Sequence, residues 1–252
     1  MDGNYDREFP RLRTGCAIKK LAVLKDDGDS DTISDAKYDR LCEAANMARD
    51  WVNAAFARID GFYEGTTRRG QRNGWRDDRQ FSHWFGAGDR TNRQIRLVHR
   101  RLKQMAKWFN NGLRIVVVQA VETGVHLIGK KRLCGNQAAY TLAPVIYLCP
   151  GFFEDRRTAS RNATTLVHEV THRLVQSLPI GGRPWVFFGH PLVKGGSGVK
   201  RTRLRYNSQA DLARTLAERR PWVARRSPVN YALLCREIGT GERPRNNDPD
   251  LI

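Results

Sequence analysis

The chain has 252 residues, a length that suits one large domain or two small ones and allows a substantial core. Lysine and arginine number 44 against 26 aspartate and glutamate, which gives a formal net charge of +18 at pH 7. Such a charge favours anionic partners, although a solvated arginine-rich surface would also account for it. No apolar run approaches the ~20 residues of a membrane span, and the polar N-terminus lacks a signal-peptide core, which excludes an integral membrane protein. We therefore expect a soluble protein.

The five cysteines bear on the compartment and on metal binding. They are Cys16, Cys42, Cys134, Cys149 and Cys235. None belongs to a C-x-x-C pair, so a cysteine-based zinc site is not expected. Two disulfides with one unpaired thiol are compatible with an oxidising compartment, but the spacing does not select the pairs.

The first half of the chain predicts two long helices. Over residues 34–59 the apolar residues recur every three or four positions, which predicts an amphipathic helix capped by Ser34 or Asp35 and ended before Gly61. Residues 61–80 are rich in glycine, arginine and asparagine and predict a loop. A second helix is expected over residues 89–109. Its basic face could lie on phosphates or could simply be solvated.

The following segments predict strands and then further helices. Strands are expected over 114–118, 126–128, 139–142 and 145–149, and helices from about 160, over 208–219 and over 230–238. Residues 179–200 are glycine-rich and could form one wall of a substrate cleft. The fold class is α+β, in a single domain over 1–252 with an N-terminal extension over 1–33 and a polar tail over 239–252.

The sequence His168-Glu169-Val170-Thr171-His172 lies inside an apolar run and carries the chemistry of the chain. On a helix, positions i and i+4 share one face, so His168 and His172 could present two imidazoles to one metal ion. The Glu169 carboxylate could then reach a water molecule beside the metal and act as a general base. This pattern indicates a zinc hydrolase.

A zinc site of this kind needs a third protein ligand. The candidates downstream are Glu218, Asp211 and His190. Asp211 lies three residues after Ser208, a spacing that suits helix capping, and His190 lies in the glycine-rich segment. Glu218 lies on a predicted helix and is the preferred prediction, although an exposed residue paired with Arg214 is the alternative.

Several fragments, taken in order, resemble deuterolysin-like and lysine-specific metalloendopeptidases over roughly residues 35–238. They are Trp84-Phe85-Gly86, Ile146 to Pro150 with Phe152-Phe153, Thr165 to His172, Tyr206 with Ala210 and Leu212-Ala213, and Asn230-Tyr231. The resemblance implies a zincin fold, a small sheet packed with several helices. It also implies that Tyr206 donates its hydroxyl to the oxyanion at the attacked carbonyl. In that family an aspartate three residues before the tyrosine is the third zinc ligand, but here that position is Arg203.

The length, the basic charge and the histidine-bearing helix also look like the C-terminal metallopeptidase domain of a type VI secretion spike protein of the VgrG type. This resemblance implies an antibacterial toxin that reaches a neighbour's periplasm without a signal peptide. It further implies fusion to the spike and a cognate immunity protein. A glutamate as third ligand would fit this relative.

The sequence therefore predicts a zinc-dependent metalloendopeptidase that acts on a protein or peptide substrate, with Zn²⁺ as the cofactor. His168, His172 and Glu218 are the expected metal ligands, and Glu169 and Tyr206 the expected catalytic residues. No specific nucleic acid partner is expected. Two alternatives stay open: an amidase-type cell-wall hydrolase with the same site, and a basic module for nucleic acid or lipid with an incidental histidine motif.

Overall fold

The computed structural model describes residues 15–24, 33–63, 66–86, 92–118, 134, 138–142, 144–176 and 209–245. Within these ranges a small sheet lies among several helices, as the α+β prediction requires. The elements in chain order are β1 (Ile18–Leu24), α1 (Asp35–Asp60), α2 (Arg68–Asp77), α3 (Arg79–Phe85), α4 (Asn92–Asn110), β2 (Leu113–Val118), β3 (Ala139–Leu142), β4 (Val145–Leu148), a 3₁₀ turn (Pro150–Phe153), α5 (Ala159–Gln176), α6 (Gln209–Arg219), α7 (Pro221–Ala224) and α8 (Pro228–Thr240).

The four described strands form one mixed sheet in the order β1-β2-β4-β3. The strands β1, β2 and β4 run parallel, and β3 pairs antiparallel with β4. β2 has five buried residues among its six, as expected of a strand with neighbours on both sides. β3 lies at the end of this order and packs against α5. The sheet therefore places β3 directly beside α5, the helix that carries His168 and His172.

The helical part of the core is built around α5. This helix packs against α1 and α8, and α1 also packs against α4 and α8. Ala44, Ala45 and Ala48 on α1 are fully buried, and their small side chains allow neighbouring helices to approach closely. The prediction of an amphipathic α1 is confirmed: Ser34 is its N-cap and accepts a hydrogen bond from the backbone N–H of Lys37, and Gly61 is its C-cap.

The predicted loop over residues 61–80 is wrong, because α2 and the start of α3 lie there. The side chain of Thr67 caps α2, and that of Asp78 caps α3. Trp75 is buried and anchors α2 to the core. Gly74 lies under the Phe62 ring, where a Cβ atom would come within 3.0 Å. The glycine that suggested a loop is therefore a contact point between a helix and an aromatic ring.

The expected N-terminal extension contributes a strand, because β1 lies within residues 1–33 and pairs with β2. A disulfide between Cys16 and Cys42 ties this segment to α1, and a second joins Cys134 to Cys149. Cys235 is the free and buried thiol. α8 continues to Thr240, so the first two residues of the predicted tail are helical. The predicted strand at 126–128 and the glycine-rich segment at 179–200 lie outside the described residues.

The other predicted elements agree with the structure to within a few residues at each end. None of the helices in the described ranges combines the length and the apolar character that crossing a bilayer would require.

Candidate metal centre

α5 begins close to the predicted position, and a side chain defines its start. Thr158 Oγ1 accepts a hydrogen bond of 3.0 Å from the backbone N–H of Arg161, which caps the first turn. Between positions 162 and 171 every residue of the helix is buried. Several of them are β-branched, a type that favours strands when exposed. Burial on all sides therefore outweighs their modest helix propensity and holds α5 in place.

Two arginines fix the segment that leads into α5. Arg157 is buried and donates to Asn162 Oδ1 at 2.8 Å and to Thr165 Oγ1 at 2.7 Å. Arg40 on α1 donates to the carbonyl oxygens of Glu154 at 2.9 Å and of Arg157 at 3.1 Å. Backbone carbonyl oxygens of this segment are thus bound to a neighbouring helix. The position of α5 relative to α1 is set by these hydrogen bonds as well as by apolar packing.

The two histidines of the motif meet on one face of α5, as predicted. The Nε2 atoms of His168 and His172 lie 2.9 Å apart. Burial lowers the pKa of His168 well below its ordinary value, and the neighbouring His172 lowers it further. Burial also lowers the pKa of His172 to about 4. Both rings are therefore neutral near pH 7, the form in which an imidazole nitrogen can bind a metal.

Glu169 lies beside this pair and is held by a residue of the sheet. Its side chain is 6% exposed, and Thr141 Oγ1 lies 2.8 Å from its Oε2 atom. The same hydroxyl lies 2.9 Å from the backbone carbonyl oxygen of Glu169. Burial raises the pKa of the Glu169 carboxyl to about 7, and the hydrogen bond from Thr141 partly opposes this. Such a carboxyl can change its protonation state near neutral pH.

The donor set fits a zinc ion. A ring nitrogen of each histidine and a carboxylate oxygen of Glu169 all lie within 4.8 Å of one another. Two nitrogens bound to one zinc ion at about 2.0–2.1 Å would be roughly 3.3 Å apart in tetrahedral geometry, close to the separation of the two imidazoles. Within the described part of the chain, the buried Nδ1 atom of His168 has no hydrogen-bond partner. A ligand histidine commonly donates this second N–H to a carbonyl, a carboxylate or water.

The structure does not bring Glu218 into this cluster. Glu218 is exposed near the end of α6, a helix that packs against α3, α7 and α8, and its charge acts on His83. Asp211 forms an ion pair of 2.9 Å with Arg214, which is the partner that had been considered for Glu218. His190, Arg203 and Tyr206 lie outside the described residues. The third zinc ligand and the role of Tyr206 therefore stay predictions.

Thr141 is the functional residue that the sequence did not reveal. It belongs to β3, which was predicted as a strand but without a role in the site. Its contact with Glu169 spans 28 positions along the chain. The available signal was a threonine hydroxyl in a short buried strand, where a buried polar group needs a partner.

Comparison with known proteins agrees with this geometry. Residues 71–179 match the model of the lysine-specific metallo-endopeptidase family, and this range contains all of α5. Among solved structures, a zinc peptidase from Grifola frondosa is similar in fold, with a TM-score of 0.50 and 17% sequence identity. The similarity covers 81% of this chain and 97% of that one. No curated protein sequence matches the chain significantly.

The family match includes the histidine pair and Glu169, and the fold similarity extends over most of the chain beyond it. The deuterolysin-like resemblance and the α+β zincin-like fold are thereby supported from two independent directions. These findings indicate a metallopeptidase, a hydrolase with zinc as its cofactor, that is similar over residues 71–179 to the lysine-specific metallo-endopeptidase family.

Proposed function

We propose that His168 and His172 hold the zinc ion of an endopeptidase and that Glu169 carries the proton transfers of peptide-bond hydrolysis. The observation that supports this assignment is the pair of neutral imidazole nitrogens 2.9 Å apart with a buried carboxylate beside them. When bound, the zinc ion would supply Lewis-acid polarisation of the substrate carbonyl and would lower the pKa of the attacking water. A zinc ion near Glu169 would also favour its ionised form.

The chain's own residues account for the proton transfers. Ionised Glu169 accepts a proton from the attacking water, and it then gives that proton to the nitrogen of the leaving amine as the peptide bond breaks. Thr141 donates to the ionised carboxylate and fixes its orientation on the side of the histidines. Burial of His168 and Glu169 keeps the surroundings of the reaction poor in water.

The edge of the sheet offers a binding surface for a peptide substrate. β3 carries Thr141 and is the last strand in the order of the described sheet. A strand at a sheet edge has backbone N–H and C=O groups that an extended peptide can pair with. A substrate bound along β3 would pass beside Glu169, which favours cleavage within a chain.

Zinc content and hydrolysis measured together test this assignment. We expect Glu169→Gln to retain about one zinc ion per chain, since Glu169 is not a ligand, and to lose activity by about 10²–10⁴-fold on a denatured protein substrate. His168→Ala should lose both the zinc and the activity. A Glu169→Gln protein that hydrolyses like the wild type would contradict the assignment. Isolated peptidoglycan is assayed in parallel. Hydrolysis of peptidoglycan without hydrolysis of the protein substrate would indicate the cell-wall amidase instead.

The third ligand is tested in the same way. Glu218→Gln, Asp211→Asn and His190→Ala each remove one candidate donor. The variant whose zinc affinity falls by an order of magnitude or more, while the other two keep the wild-type affinity, identifies the ligand. Glu218 stays the first prediction, with Asp211 and His190 as the alternatives.

We further propose that the chain acts as an antibacterial toxin in the periplasm of a neighbouring cell, to which a secretion spike delivers it. The two disulfides support this, because disulfides persist in oxidising compartments such as the periplasm. The spike would be a fusion partner, and an immunity protein would protect the producing cell.

Directed expression in a Gram-negative host tests the toxin role. The chain directed to the periplasm should inhibit growth, and the same chain kept in the cytoplasm should not. Glu169→Gln directed to the periplasm is the matched control and should be harmless. Equal growth of the wild-type and Glu169→Gln strains would contradict a toxic peptidase in that compartment.

A further inference from the structure

A large arginine-lined cleft lies away from the candidate metal centre. Its volume is about 1330 Å³, and α2, α4, α7 and the turn after α7 form its walls. Twelve described residues line it; seven of these are arginines, and none of the twelve is aspartate or glutamate. None of the described lining residues belongs to α5 or to β3, the two elements that carry the described residues of the candidate metal centre.

The charges of the cleft are available to a ligand. Arg68 and Arg72 project from α2, and Arg93, Arg96 and Arg100 from α4, and all five are exposed. Among the described residues, no carboxylate lies within ion-pair distance of these five side chains. Arginines in a concave surface without acidic partners produce a positive potential that the cleft walls concentrate. An anionic ligand would neutralise this potential.

An exposed tryptophan stands in the same wall. Among the large hydrophobic side chains of the described residues, Trp222 is the one that is exposed, at 55%. Arg226 lies over its ring, with its guanidinium carbon 5.8 Å from the ring centroid. The exposed ring offers a flat aromatic surface beside the arginines, on which a planar group of a ligand can stack.

The short helix that carries Trp222 is held firmly. Gly86 has a φ of 84° and approaches Pro221 so closely that a Cβ atom would contact the proline ring. The Tyr231 hydroxyl donates to the carbonyl oxygen of Arg225 at 3.0 Å, and Arg101 donates to the same oxygen. Trp222 is therefore presented by a rigid support, as a stacking surface requires.

We propose that this cleft binds single-stranded nucleic acid without sequence specificity. The arginines would contact consecutive phosphates, and Trp222 would stack on a base, a combination typical of proteins that bind single strands. The concave shape favours a chain over a flat membrane surface. The exposed ring favours a ligand with aromatic bases over an acidic peptide. The net charge of +18, which the peptidase assignment leaves unexplained, would then serve this second site.

Binding of a fluorescent oligothymidine of about 20 nucleotides, followed by anisotropy at several salt concentrations, tests the proposal. Arg72→Glu/Arg96→Glu should weaken binding at least about tenfold and make the salt dependence shallower. Arg69→Glu/Lys103→Glu is the matched control, because both residues are exposed on α2 and α4 but do not line the cleft. It changes the net charge equally and should keep the affinity within about twofold.

Trp222→Ala separates stacking from charge. It should weaken binding about five- to tenfold and leave the salt dependence unchanged, because no phosphate contact is removed. Zinc removal and Glu169→Gln should leave binding unaffected, so the result does not depend on the peptidase site. Equal losses in the two charge-reversal variants would overturn the proposal. Tighter binding to phosphatidylglycerol vesicles than to the oligonucleotide, or an unchanged affinity in Trp222→Ala, would also overturn it.

Discussion

Thr141 Oγ1 lies 2.8 Å from Glu169 Oε2 and 2.9 Å from the backbone carbonyl oxygen of the same residue. One hydroxyl from the sheet therefore contacts both the side chain and the main chain of the proposed proton carrier. The hydroxyl has a single proton to donate, so it can serve either oxygen but not both at full strength. This contact is the direct link between β3 and the chemistry on α5.

Replacing Thr141 should affect turnover more than substrate binding. Thr141→Val has nearly the same shape but no hydroxyl, so the Glu169 carboxylate would lose its hydrogen bond. We expect kcat to fall about 10- to 100-fold with KM little changed, as is usual for residues that orient a catalytic group. Thr141→Ser restores the hydroxyl and should recover most of the activity. Equal zinc contents in the three proteins would exclude a loss of metal as the cause.

Removing zinc should lower thermal stability, because a ligand that binds only the folded chain stabilises it. At a hundredfold excess over the Kd the gain is about 2.7 kcal/mol, which for a chain of this size corresponds to a Tm change of about 5–10 °C. Calorimetry with and without a chelator measures this difference. His168→Ala should have a Tm that the chelator does not change. The prediction fails if the wild type melts at the same temperature in both conditions.

Gly239 should tolerate no side chain. It lies in α8 against the indole of Trp51 on α1, and a Cβ atom there would overlap the ring. We expect Gly239→Ala to lower the free energy of unfolding by about 1–3 kcal/mol. Gly61→Ala is the matched control, because the new Cβ would meet only the carbonyl oxygens of Arg58 at 3.5 Å and Ala57 at 3.6 Å, which are ordinary contact distances. The control should be neutral or slightly stabilising in urea unfolding, and equal losses in both variants would contradict the prediction.

His83 should titrate below the usual range. Burial lowers the pKa of His83 and Arg243 lowers it further, against the opposing charges of Glu237 and Glu218. The unfolded chain therefore takes up this proton first as the pH falls. The stabilising contribution of neutral His83 is present at neutral pH and is lost below about pH 6.5. NMR titration, with His83→Gln for assignment, measures the pKa.

The same titration bears on Glu218. In Glu218→Gln the carboxylate that favours protonated His83 is removed, so the pKa of His83 should fall slightly further. An unchanged His83 pKa in this variant would show that the Glu218 carboxylate does not interact with His83 in the folded protein.

Cys235 should be unreactive in the folded protein. It is fully buried on α8, and burial raises the pKa of its thiol. Ellman's reagent should therefore detect no thiol in the native chain and one after denaturation without reductant. Detection of three or more thiols in the denatured, unreduced protein would contradict the two disulfides.

The long elements were predictable because their signals are local. The apolar spacing of α1 and its caps at Ser34 and Gly61 lie within one stretch of sequence, and so does the pairing of His168 with His172 on one helical face. The prediction for residues 61–80 was wrong because it was based on the glycine content of the segment. Composition does not show which side chains pack against each glycine in the fold. Gly74 lies within α2, and Phe62 packs over it.

The parts of the site that depend on distant contacts could not be predicted in this way. Thr141 reaches Glu169 only after β3 has joined the sheet, and no periodicity within the strand indicates that contact. The placement of Glu218 was inferred from its distance along the chain. The packing of α6 against α3, α7 and α8 lets its charge act on His83, and its role as third ligand stays a prediction.

The packing of α5 between α1 and α8 has a practical consequence for anyone who wishes to produce a smaller enzyme. The family-matched stretch, residues 71–179, excludes both of these helices and also β1. If that stretch were produced alone, the apolar surfaces of α5 that pack against α1 and α8 would be exposed to solvent. We expect such a fragment to aggregate. A minimal catalytic unit has to reach from the Cys16–Cys42 cross-link to the end of α8.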